Sequence, residues 1–162
     1  MSQLNNMSLT KFLANPGSTT IFFKKITKEY QLKILDNNYL ANRLERITII
    51  ELDHIPVMLN LSYTSLTNSK FIDILENAAT TPIGTKLFVP NSGIKRAQMS
   101  VSQIGVNQID NVIIQNYMHE LGLDTKTQLY VRQSQFTYQD EVMHLVEYIL
   151  PGLVTLLETE GI

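Results

Sequence analysis

The chain has 162 residues, with 13 Lys plus Arg against 15 Asp plus Glu, a formal charge of -2, 44% hydrophobic residues and no cysteine. One domain of that length buries roughly 70% of its unfolded surface, enough for a core without staples, and the missing cysteines exclude disulfides, thiol catalysis and Cys-ligated metal or iron-sulfur sites. A near-neutral balance argues against a general nucleic-acid binder, which needs a basic excess. No apolar run approaches the roughly 20 residues of a transmembrane helix, and residues 1–6 lack the basic and apolar regions of a signal peptide, so a cytoplasmic location is expected.

No repeat, charge block or Pro/Gly/Ser-rich linker divides the sequence, which reads as a single unit over residues 1–162. In chain order, residues 20–29, 46–52 (RITIIEL) and 56–63 (PVMLNLSY) are rich in β-branched and aromatic residues and are expected to be strands, the last two joined as a hairpin by residues 53–55. Residues 68–78 place Phe71, Ile72, Leu75 and Ala78 on one helical face. A second stripe, Ile109, Val112, Ile113, Tyr117 and Leu121, predicts another helix, with Asn107 as its cap and Gly122 as its end. Residues 127–136 (TQLYVRQSQF) and 142–149 (VMHLVEYI) predict a second hairpin around Tyr138, Gln139 and Asp140. Hairpins without strict βαβ alternation point to α+β: a mainly antiparallel sheet with helices packed on it.

The usual chemical motifs are missing. His54, His119 and His144 lie far apart with no HExxH-like spacing, so no metal is expected. G-x-S-x-G, G-x-G-x-x-G and the Walker pattern do not occur, which disfavours hydrolase, dinucleotide and P-loop readings and leaves no cofactor to expect.

Some residues nevertheless have chemistry to offer. Pro16-Gly17 makes a turn, and Ser18, Thr19 and Thr20 bring hydroxyls that could hold an anionic oxygen; an ordinary turn entering a strand would look the same. Arg46 shares a strand face with Thr48 and Ile50, where a guanidinium can grip a carboxylate or phosphate, or else pair with Glu45 or Glu51 at the strand end. Glu147 alternates with Met143, Leu145 and Ile149, a costly place for a carboxylate without a partner. It could pair with a cation, bind ligand hydroxyls or face solvent from an edge strand. Asn60 and Ser62 face away from Val57, Leu59, Leu61 and Tyr63, lining either a cavity or a wet sheet face.

The order GSTT, LERITIIELDHIPVMLNLSY, FIDILENAATTPIGTKL, IKRAQMSVSQI and YMHELGLDTKTQLYVRQSQFTYQDEVMHLVEYILP, covering about residues 10–151, resembles the UTRA domain. That is the effector-binding domain of GntR/HutC-type transcription regulators, whose fold is shared with chorismate pyruvate-lyase. Where such domains commonly carry Arg-x-Arg, this chain has Arg46 followed by Thr48, and a Glu often found on the next strand is Asn60 here. The chain also resembles the lyase, through Arg46 ten residues before Pro56 and through Glu147-Tyr148-Ile149-Leu150-Pro151.

The resemblance implies a chorismate lyase-like fold and a homodimeric sensor without catalysis of its own. Arg46, helped by Ser18, Thr19 and Thr20, would anchor a small anionic effector, while Asn60, Tyr63, His144 and Glu147 would read its hydroxyls or amines. DNA would be reached only through a winged-helix domain, which no segment before residue 15 could form. The alternatives are an enzyme releasing pyruvate from chorismate, or a domain kept for dimerisation alone.

Overall fold

Strands Tyr30–Leu40 (β1), Arg43–Leu52 (β2), Ile55–Ser65 (β3), Lys95–Gly105 (β4), Gln128–Tyr138 (β5) and Glu141–Ile149 (β6) form one antiparallel sheet in the order β1-β2-β3-β6-β5-β4. The computed structural model describes residues 8–160, so residues 1–6, read above for a signal peptide, lie outside the described residues. Helices Leu9–Ala14 (α1), Thr19–Ile26 (α2), Ser69–Asn77 (α3), Gly84–Leu87 (α4), Val112–Glu120 (α5) and Pro151–Glu160 (α6) pack on the sheet, making the fold α+β as expected.

Both expected hairpins form. Leu52 pairs with Ile55, and Asp53 and His54 both take positive φ, 50° and 66°, the signature of a two-residue turn whose twist matches its strands. Tyr138 pairs with Glu141 across Gln139, at φ 55°, and Asp140.

Residues 20–29 are not a strand: residues 19–26 are helix α2. The Ser18 side chain accepts a hydrogen bond from the Ile21 amide at 3.4 Å, Thr20 and Phe23 are buried three residues apart, and Lys24 and Lys25 fall in the last turn, where cations suit the carbonyl end. The Pro-Gly turn therefore enters a helix. Strands β1 and β4 are additional to those expected from the sequence; both are edges and largely exposed, and each is interrupted by polar residues, Asp36 to Asn38 in β1 and Ser100, Ser102 and Gln103 in β4.

Helix α3 buries Phe71, Leu75 and Ala78 as read, with Ile74 added and Ile72 half-buried. Helix α5 starts later than expected: Asn111, not Asn107, is its cap, accepting from the Ile114 amide at 3.0 Å, while Asn107 lies in a preceding 3-10 turn. That start sets the helix phase, so Ile114 and Met118 face the core and Val112 and Ile113 are exposed. Gly122 does end the helix, at φ 76°.

On one sheet face, α5 and the 3-10 turn cover Ile47, Ile49, Leu59, Leu61, Val131 and Val146. The opposite face carries two separate apolar clusters. One joins α1, α2 and α6 to Ile50, Leu52, Met58 and Ile149; the other joins α3 and α4 to Leu44, Phe136, Met143 and Leu145. Each fully buried large side chain contributes about 1.5 to 3 kcal/mol. Between the clusters runs a polar band, and this is where the candidate site lies.

Candidate functional site

The band is built by register. Thr48, Asn60, Glu147 and Arg132 are successive cross-strand partners on β2, β3, β6 and β5, and Arg46, Ser62, Leu145 and Ser134 form the neighbouring row. Because side chains alternate across a strand, all of these point to the same face.

The N-terminus of α2, bearing Ser18, Thr19 and Thr20, and the segment around Pro82, Gly84 and Phe88 roof over the band. They enclose a cavity of about 40 Å³, counted as room for the centres of water molecules, with Arg46, Thr48, Asn60, Ser62, Arg96 and Glu147 in its walls. The two roofing segments touch at Gly84, where a Cβ would lie in ordinary contact with Ser18 Oγ at 3.4 Å and Thr20 Oγ1 at 3.5 Å.

Arg46 is 2% exposed and is not paired with Glu45 or Glu51. Its Nη2 donates to the carbonyls of Ala79 at 2.6 Å and Thr81 at 3.2 Å, while its buried Nε has no hydrogen-bond partner. Burial lowers its pKa from the ordinary arginine value, opposed by Tyr30. That destabilisation of the charged form is what a bound anion would relieve. Burial likewise raises the Tyr30 phenol, opposed by Thr20 and then by Arg46.

Glu147, 2% exposed, pairs with cations and does not face solvent. Arg132 grips it in bidentate fashion, Nε to Oε1 at 2.8 Å and Nη2 to Oε2 at 2.9 Å, and Arg96 Nη2 reaches Oε1 at 2.9 Å. The same arginines hold the N-terminal segment. Arg132 Nη1 donates to the carbonyls of Phe12 and Asn15 at 2.9 and 3.1 Å, and Arg96 Nη1 donates to those of Pro16 and Gly17 at 3.2 and 3.3 Å. Arg96 Nε also donates to Ser134 Oγ at 2.9 Å. Burial lowers the Arg96 pKa, against the raising effect of Glu147.

Six of the expected site residues, Ser18, Thr19, Thr20, Arg46, Asn60 and Glu147, therefore meet at one cavity. Tyr63 and His144 do not join them. They are cross-strand partners on the opposite face, stacked with ring centroids 4.7 Å apart, and Arg43, itself paired with Glu45, lies 4.7 Å over the Tyr63 ring. Sequence reasoning missed Arg96 and Arg132. The tight turn at Gln139 and Asp140 carried the signal for Arg132, since it makes Arg132 the direct partner of Glu147. Arg96 sits on an edge strand with no such cue.

No family model and no curated protein sequence matches the chain. Its fold is found in solved domains of bacterial regulators. The C-terminal domain of the histidine utilization repressor from Pseudomonas syringae pv. tomato superposes with a TM-score of 0.53 at 8% identity, over 76% of this chain and 92% of that one. The ligand-binding domain of a protein assigned to the GntR-family transcriptional regulators, from Bordetella bronchiseptica, gives a TM-score of 0.50 at 12% identity, over 76% and 87%. At these identities the likeness is one of fold. Among the described residues, no helix is long and apolar enough to cross a membrane.

Proposed function

We propose that the chain is the small-molecule effector-binding and dimerisation domain of a GntR/HutC-type transcription regulator, acting in the cytoplasm and binding a small anion without consuming it. The observation that carries this reading is Arg46, a guanidinium buried at a cavity with Nε unpartnered, in a fold used by ligand-binding domains of regulators. Ser18, Thr19 and Thr20 face it from the start of α2, and Asn60 and Ser62 supply further polar contacts. Binding there would shift an equilibrium between dimer arrangements that do or do not suit DNA binding, with DNA contacted by a winged-helix domain.

A chorismate lyase-like enzyme is the second reading, because Arg46 and Glu147, the positions that resemble the lyase, line the same cavity. Against it, Glu147 is committed to two arginines. Incubation of the purified protein with chorismate separates the two. The sensor reading expects no enzyme-dependent pyruvate, and rapid pyruvate release would establish the lyase instead.

A further inference from the structure

The buried side-chain atoms without a hydrogen-bond partner among the described residues are the Tyr30 hydroxyl, Arg46 Nε and Asn60 Oδ1. Arg46 and Asn60 line the cavity, whereas Tyr30 lies outside it with its phenol near Thr20. Buried polar atoms are normally satisfied, so the two at the cavity ask for one explanation. Arg46 Nε can only donate, whereas Asn60 Oδ1 can only accept. Water could meet both but would leave the charge unbalanced, since the cavity walls carry Arg46 and Arg96 against the single carboxylate of Glu147, which Arg132 also engages.

Size narrows the occupant further. With about 40 Å³ of room for water centres, the cavity suits a small group of waters or one compact molecule. Two walls resist widening, because Glu147 is locked by Arg96 and Arg132, and Arg46 is tied to the carbonyls of Ala79 and Thr81. Arg46 and Asn60 stand diagonally across β2 and β3, as Ser62 is the partner of Arg46 and Thr48 that of Asn60. One compact molecule can span such a diagonal.

We infer that the ligand is a compact oxyanion that also carries a donor hydrogen, its oxyanion on Arg46 and its donor on Asn60, as in an α-hydroxy carboxylate or hydrogen phosphate. The inference rests on the effector-binding reading and specifies its ligand class.

Calorimetric titration of the whole chain with matched pairs tests it: glycolate against acetate, and hydrogen phosphate against sulfate. Within at least one pair the donor-bearing member should bind at least about tenfold more tightly, the effect of leaving a buried acceptor unpaired. Asn60→Leu should erase that preference, bringing the two members of the pair to within about twofold of each other. Equal affinity within both pairs overturns the donor requirement. Tighter binding of a hexose phosphate than of any of these overturns the size limit and leaves the effector-binding reading intact. If no anion of either size binds, that reading fails and this inference fails with it.

Discussion

Arg132 and Glu147 are direct cross-strand partners on β5 and β6, joined by two hydrogen bonds of 2.8 and 2.9 Å with both side chains almost wholly buried. Such a pair adds little net stability over an apolar pair, yet removing one partner strands the other charge. Here Arg132 also caps the last carbonyls of α1, so the ion pair fixes where the N-terminal segment crosses the sheet.

Glu147→Gln leaves Arg132 and Arg96 without a counter-charge and should destabilise the fold by about 3 to 5 kcal/mol, the range for breaking a buried pair. Glu29→Gln, which removes the bridge to His54 between two well-exposed side chains, should cost less than about 1 kcal/mol. Urea unfolding of both variants measures the contrast, and equal losses would contradict the account.

Gly152, in the first turn of α6, is set against β3. A Cβ there would lie 2.6 Å from the Pro56 carbonyl oxygen and 2.8 Å from Ile55 Cγ2. Alanine normally favours a helix over glycine by up to about 1 kcal/mol, but Gly152→Ala should instead destabilise by about 1 to 3 kcal/mol, as overpacking does. An unchanged melting curve would show that α6 yields freely.

Burial, and then Arg43, hold the His144 imidazole below its ordinary pKa of 6.5. The folded protein therefore takes up this proton less readily than the unfolded chain. The contribution is fully present above pH 6.5 and is lost as the pH falls from there through the lowered folded value. Its surroundings are the Tyr63 ring on β3, Arg43 on β2 and Gln135 on β5. His144→Asn should flatten the fall in melting temperature across that window, and parallel wild-type and variant curves would remove His144 as its source.

Both sheet edges, β1 and β4, are open and mostly exposed, and strand edges of this kind invite symmetric pairing. Sedimentation should give about 37 kDa, twice the 18.5 kDa chain. A clean monomer at high micromolar concentration would contradict the proposed dimer.

What the sequence disclosed follows from where apolar alternation was under pressure to appear. β2, β3, β5 and β6 are covered on both faces over much of their length, so their extent and the hairpins joining them in pairs were legible, and with them the face that each of Arg46, Asn60 and Glu147 takes on its own strand. β1 and β4 are edges, where Asp36, Asn37 and Asn38 or Ser100, Ser102 and Gln103 are tolerated because water reaches them. Arg96 was hidden for that reason. Residues 19–26 misled because Ile21, Phe22 and Phe23 suit a strand by propensity, while the Ser18 cap and packing of Phe12, Phe22 and Phe23 favour a helix. Tyr63 and His144 were grouped with the site by chemistry, although alternation with Asn60 and Glu147 already assigned them to the other face.

Calorimetric titration of wild type, Arg46→Ala and Arg46→Lys, with whichever small anion raises the melting temperature most, tests the central claim most directly. Arg46→Ala should lose about 2 to 5 kcal/mol of binding, as expected when one partner of a buried charge pair is truncated. Arg46→Lys should recover part of it, keeping the charge without the planar fork. Equal affinity in all three proteins would remove Arg46 from the site and contradict the account.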